Sequence, residues 1–211
     1  MNSSISIDIA FQCALILSIF VLFYWFPSAY VKLVSEDNWG EWAQFLGFFC
    51  AAIVFFVSFL SYQPKKKGVL YLILALGTMV VAMEEISWGQ RIFKIPTPDI
   101  LRQVNFQGEL GFHNIRAISP EAMTYKVVGI SFLIYGFVVP LLLQKFSTLR
   151  DHAERFGIPI PKLYTAPLFI GTCYFLGFAT LPKSDEIGEL LMSLSIGCFA
   201  VSCIGQKKCN E

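Results

Sequence analysis

The sequence predicts an all-α protein, a polytopic transmembrane helix bundle of about six spans in a single domain. Two observations carry this. Hydrophobic residues make up 55% of the 211 residues and charged residues only 15%, and the mean hydropathy is +0.61; a soluble domain carries about 25% charged residues. The apolar residues also gather into runs of about 20, the length needed to cross a hydrocarbon layer about 30 Å thick. Net charge is +1, which gives no electrostatic footprint for a nucleic acid.

The predicted spans cover residues 7–26, 42–62, 68–90, 123–143, 163–181 and 187–204. The first carries Asp8 and Gln12 near its start. Lys32 is the first Lys or Arg, so this run lacks the basic leader of a cleaved signal peptide and is expected to be retained. Trp42 and Tyr62 flank the second run as interface anchors. The third runs into Met83-Glu84-Glu85-Ile86-Ser87-Trp88-Gly89-Gln90-Arg91. Pro140 predicts a kink near the end of the fourth, and Pro167 suits the first turns of the fifth. Five of the six cysteines lie in apolar runs and none forms Cys-x-x-Cys, so they read as small buried hydrophobes. The polar loop 91–122 is too short for a second core.

Six spans place Lys65, Lys66, Lys67, Lys145, Arg150, Arg155, Lys162, Lys207 and Lys208 on one side of the membrane. The other side holds Lys32, Arg91, Lys94, Arg102, Arg116, Lys126 and Lys183. The positive-inside rule then predicts a multi-pass cell-membrane protein with both termini cytoplasmic. The Glu-Glu motif falls at the outer face. Sixteen residues separate Gly68 from Glu84, which is about 24 Å of helix. The carboxylates are therefore expected roughly 6 Å inside the outer hydrocarbon edge.

Adjacent carboxylates at that depth must be paired, hydrated or neutralised, and intramembrane acids are functional candidates by default. On a continuous helix Glu84, Ser87, Trp88 and Arg91 share one face, with Glu85 and Gly89 beside it. Arg91 at headgroup level suits a phosphate or carboxylate. Two charges about 5 Å apart repel by roughly 3 kcal/mol at an effective dielectric near 20. Either a cation such as Arg91 neutralises one acid, or one acid holds a proton for acid/base work. In the loop, Thr97-Pro98-Asp99 reads as a helix start with Thr97 as N-cap, followed by a short surface helix bearing Ile100, Leu101 and Val104 on one face. Ser119-Pro120-Glu121 starts the fourth helix by the same logic. Between them, Asn105-Phe106-Gln107-Gly108-Glu109-Leu110-Gly111-Phe112-His113-Asn114 has the glycines and polar groups to fold back over the acids. The candidate catalytic residues are Glu84, Glu85 and His113. The candidate substrate-binding residues are Ser87, Trp88, Gln90, Arg91, Asn105, Gln107, Glu109 and Asn114. Glu84, Glu85, Glu109 and His113 could supply oxygen and nitrogen ligands, but with no His-Glu-x-x-His and no second histidine on that side no metal or other cofactor is expected, and no Gly-x-Ser-x-Gly marks a serine hydrolase. His152 lies in a charged segment and reads as a solvated face.

Glu-Glu-Ile-Ser-Trp-Gly-Gln-Arg, with Thr-Pro, Asn-x-Gln-x-Glu and His113-Asn114 after it, resembles the signature of a family of uncharacterised bacterial multi-span membrane proteins. The pair Glu84-Glu85 with a following arginine is loosely similar to the motif of CAAX-type intramembrane proteases, although Arg91 lies two residues further along. That resemblance implies intramembrane hydrolysis at the paired glutamates.

Three readings follow, in this order. The first is a membrane-embedded hydrolase or transferase acting on a lipid or lipid-linked substrate through a Glu-Glu/Arg/His site. The second is a non-catalytic subunit that packs against another membrane protein. The third is a proton- or cation-coupled transporter, against which the other spans show no second acid pair. Besides the bilayer, the expected partners are a lipid substrate or another membrane protein, and no nucleic acid.

Overall fold

The structure, a computed structural model, describes residues 3–35, 39–62, 65–105, 108, 110–111 and 122–204. Its regular elements are helical: α1 Ser3–Trp25, α2 Pro27–Leu33, α3 Trp39–Ser61, α4 Lys65–Glu85, α5 Gln90–Phe93, α6 Asp99–Val104, α7 Ala122–Leu133, α8 Val139–Lys145, α9 Ser147–Arg155, α10 Ala166–Gly177 and α11 Ser184–Ile204. A π-helical segment, Ile134–Val138, joins α7 to α8.

Five stretches are long and apolar enough to cross a membrane: Ile5–Trp25, Trp39–Ser61, Gly68–Glu85, Thr124–Lys145 and Ser184–Ile204. This is an all-α polytopic bundle, consistent with an integral membrane protein. The expected span 163–181 is shorter than predicted. Its helical part, Leu163–Gly177, has 15 residues, about 22 Å at 1.5 Å per residue. Pro159 and Pro161 keep the preceding chain out of the helix, and the helix stops at Gly177. It is nevertheless central, because Leu168, Phe169, Thr172 and Phe175 are buried. A helix enclosed by its neighbours need not match the hydrocarbon thickness by itself.

Packing follows from which faces are apolar to whom. In α1, 11% of the most apolar stretch is buried, against 50% in α11. Ile7, Phe11, Leu17 and Trp25 point away from the protein, as suits a peripheral helix whose solvent is hydrocarbon. α3 packs on α4 and α11, and α10 packs on α11, α7 and α1. One core cluster joins Phe55, Tyr71, Phe169 and Phe199; another joins Ile19, Phe175, Ile187 and Leu191. Close approach of α3 to α11 depends on Gly47, where an added Cβ would lie 2.9 Å from Ser193 Oγ, the small-residue contact that membrane helices favour. At Pro140, where a kink is expected, the structure has a π-helical segment one turn earlier. Proline has no N–H for the carbonyl four residues back, at Gly136, and the helix widens over Ile134–Val138.

Long-range hydrogen bonds fix the two ends of the bundle. The Gln44 Nε2 amide donates to the Glu186 carbonyl at 3.1 Å, so α3 and α11 begin at the same end. Tyr125 donates to Glu189 at 3.3 Å and brings the start of α7 there. Tyr30 donates to the Pro182 carbonyl at 2.7 Å and adds the α1–α2 corner. At the other end Gln12 donates to the Tyr164 carbonyl at 3.1 Å, and Tyr135 reaches the Pro159 carbonyl. The chain crosses between these ends six times, so positions 66 and 99 are expected on opposite sides. Cysteines placed at Lys66 and Asp99 should react with a membrane-impermeant thiol reagent from opposite faces; labelling of both from one face would overturn the topology.

Candidate functional site

α4 does not continue to Arg91 as expected. It ends at Glu85, and the next turn holds Ser87, Trp88 and Gly89 at φ of 47°, 55° and 79°. Left-handed backbone is ordinary for glycine and costly for a bulky residue such as tryptophan. The predicted face through Glu84, Ser87, Trp88 and Arg91 is therefore broken, and α5 leaves in a new direction. Trp88 still meets Glu84: its indole N–H donates to that carboxylate. Ser87 is buried beneath the turn.

Gln90 and Asn105 fold the following loop. Gln90 Nε2 donates to Thr97 Oγ1 at 2.5 Å, and the Leu110 N–H donates to Gln90 Oε1 at 2.7 Å. Asn105 Nδ2 donates to the Gly111 carbonyl at 2.8 Å and its Oδ1 accepts from the Gly108 N–H at 3.0 Å. Thr97 is not the N-cap of α6. Pro98 occupies that position, and the Thr97 hydroxyl donates to the Gly108 carbonyl at 2.6 Å. The loop thus returns towards α5 on amide bonds that two glutamine- and asparagine-sized side chains supply. Replacing Gln90 by leucine removes both of its bonds and is expected to loosen 97–111 by about 1–3 kcal/mol. Faster amide hydrogen exchange at Leu110 would show it; unchanged exchange would mean that these bonds do not hold the loop. The Arg91 side chain, Gln107, Glu109, His113, Asn114 and the Ser119-Pro120-Glu121 start lie outside the described residues.

The acids of α4 meet acids from other helices. Glu85 lies within electrostatic reach of Glu189, Glu41, Glu186 and Glu84. Glu189 faces Glu186, Asp185 and Glu41 and accepts the Tyr125 hydroxyl. Glu85, Glu189, Glu41 and Glu186 are each half-buried. Glu41, Glu186 and Glu189 stand in the first two turns of their helices, where the positive end of the macrodipole favours them. Glu84 and Glu85 stand at the opposite, negative end of α4, so they lack that support.

Sequence reasoning missed Glu41, Gln44, Tyr125, Glu186 and Glu189. Glu186 and Glu189 are spaced i, i+3 at the head of an apolar run, as are Glu41 and Gln44. This spacing is the available signal, and it reads as ordinary helix-start chemistry. The last span therefore supplies the second acid pair that the sequence reading did not find. Among the described residues, no three His, Cys, Asp or Glu side chains are grouped to hold a metal ion. At the same end an apolar cavity of about 200 Å³ opens between Phe23, Tyr30, Val34 and Pro182; it contains none of the carboxylates. No protein family, curated protein or solved structure matches the chain.

Proposed function

We propose that the protein is a membrane-embedded hydrolase or transferase acting on a lipid or lipid-linked substrate at the carboxylate end of the bundle. One observation carries the reading: Glu85 lies within electrostatic reach of Glu189, on a helix far away in sequence, and of the further acids Glu41 and Glu186 at the same end of the bundle. Two interacting carboxylates in poorly solvated surroundings can divide the roles of acid and base between them. Tyr125 orients Glu189 by its hydrogen bond. Arg91 is the proposed headgroup clamp and His113 the proposed auxiliary base. The apolar cavity by Tyr30 offers a place for part of an acyl chain. The likeness to bacterial multi-span membrane proteins and, more loosely, to intramembrane proteases belongs to the same proposal.

Untargeted lipid profiling tests it, with cells carrying Glu85→Gln or Glu189→Gln compared with wild type. One lipid class should accumulate in both variants. Glu84→Gln should have the smaller effect, since Glu84 is engaged with Trp88. An unchanged profile with the variants folded and expressed would count decisively against an enzyme. A second reading, proton- or cation-coupled transport, gains from the acid pair on α11, because that pair removes the objection raised by the sequence.

A further inference from the structure

The segment that follows α8 stands at the level of a membrane surface. The apolar stretch Thr124–Lys145 ends at Lys145, and α9 begins two residues later at Ser147. Phe146 between them is extended, at φ −116° and ψ 102°, so α9 does not prolong the axis of α8. The far end of α9 is tied down. The Ile158 N–H donates to the Ala153 carbonyl at 2.9 Å and the Gly157 N–H to the Glu154 carbonyl at 3.1 Å. With Gly157 at φ 64°, these two bonds close α9 in a Schellman motif. Tyr135 then holds the returning chain at the Pro159 carbonyl. α9 is thus a short ordered helix fixed beside the end of a span, at the end of the bundle opposite the carboxylates.

The residues of α9 and its cap are sorted by face. Leu149, Ala153 and Phe156, at i, i+4 and i+7, form one apolar stripe. Arg150 and His152 border the stripe on its two sides, roughly 70–90° from its centre. Asp151, Glu154 and Arg155 lie on the opposite face, beyond about 120°. Ala153 is the one buried residue of α9, whereas Leu149 is 49% and Phe156 65% exposed. Phe146 and Ile158, just outside the two ends, are exposed as well, and so are Leu141 and Leu142 on the preceding span. The apolar surface of the span therefore continues onto α9. An open apolar stripe beside a span, with a basic border and the acids turned away, is the arrangement of a helix lying in the headgroup layer. The cations select the lipid. Segment 145–162 carries Lys145, Arg150, Arg155 and Lys162 against Asp151 and Glu154. Arg150 meets Asp151 at 3.9 Å with both side chains more than half exposed, a contact that neutralises little. Lys145 stands at the end of the span, with Nζ 5.6 Å from the centroid of the exposed Phe146 ring.

We propose that α9 is an interfacial helix that binds the anionic phospholipids of the surrounding bilayer, with Leu149 and Phe156 at the acyl boundary and Lys145 and Arg150 on the headgroup phosphates. This does not depend on the reaction proposed above, and its test reads lipid contact rather than turnover. Full-length protein is placed in nanodiscs of phosphatidylcholine, alone or mixed with phosphatidylglycerol. Amide hydrogen exchange over 147–158 is followed at low and high salt. Exchange should be slower in the mixed discs, and salt should erase the difference, because headgroup attraction is screened. Lys145→Gln with Arg150→Gln should remove this lipid-dependent protection, a loss of about tenfold or more at roughly fivefold per basic residue near the surface. Arg155→Gln takes away the same kind of charge from the opposite face and should cost less. Serine at Leu149 and Phe156 should speed exchange in both kinds of disc, because the stripe seats on any lipid. Equal exchange of the wild type in the two kinds of disc would overturn the proposal, leaving α9 as a solvated face. Protection by phosphatidylglycerol that survives in the Lys145→Gln, Arg150→Gln double variant would also overturn it. So would the same protection on adding inorganic phosphate to phosphatidylcholine discs, since the ligand would then be the free anion.

Discussion

Glutamine in place of Glu85 or Glu189 is expected to leave the protein folded and slightly more heat-stable while abolishing its function. Each substitution takes one ionisable acid out of a group of mutually repelling acids and keeps nearly the same shape. Unit charges a few ångströms apart in such surroundings interact by several kcal/mol before screening. Partial exposure and rearrangement reduce this, and a net gain on the order of 1 kcal/mol is expected. Glu189→Gln also retains an oxygen that can accept the Tyr125 hydroxyl. Turnover of the substrate found by lipid profiling should fall about 10²–10⁴-fold, the usual contribution of general acid–base catalysis. Glu154→Gln, on exposed α9 at the other end of the bundle, should change neither quantity. Loss of more than about 1 kcal/mol in both site variants would show the acids to be structural, held by a cationic partner whose removal leaves a buried charge unpaired.

This dissociation of stability from function follows from how the site is built, and also explains why only half of it was legible beforehand. Glu84 and Glu85 stood out because charge at the end of a long apolar run is costly wherever the chain goes. Glu41, Glu186 and Glu189 carry no such local cost, because an acid in the first turns of a helix is favourable. Their meaning arises only when α3 and α11 begin at the same end and α4 finishes within electrostatic reach of their acids, which is a property of packing. The bundle itself was legible because apolar runs of span length have few alternative fates. The short α10 was overestimated, since Phe178, Ala179 and Leu181 extend the apolar run past the point where the helix stops. The turn after Glu85 was hidden for a related reason. Gly89 signals left-handed backbone, but Ser87 and Trp88 do not, and a helical reading carried the face through to Arg91. Thr97 looked like a cap by type, and the folded loop uses its hydroxyl elsewhere.

Alanine at Gly136 is expected to destabilise the bundle by about 1–3 kcal/mol, the usual cost of overpacking a core. The intrinsic helix preference runs the other way, favouring alanine by about 0.5–1 kcal/mol. The clash wins because of what surrounds the position. A Cβ there would lie 2.0 Å from Phe169 Cγ and 2.2 Å from Cδ1, the root of the ring and not its flexible end. Phe169 has no room to withdraw, being 1% exposed, held against Phe132 at a centroid distance of 5.7 Å, and part of the cluster with Phe55, Tyr71 and Phe199. Gly77 provides the opposite sign, since nothing lies within 4 Å of its would-be Cβ. Gly77→Ala should therefore raise the thermal midpoint, and Gly136→Ala should lower it. Adding Phe169→Leu to Gly136→Ala should recover part of the loss, although Phe169→Leu alone is destabilising, because residues in contact do not act additively. If Gly136→Ala melts with Gly77→Ala above the wild type, the widened π segment has slack. In that case the contact between Gly136 and Phe169 does not set the spacing of α7 and α10.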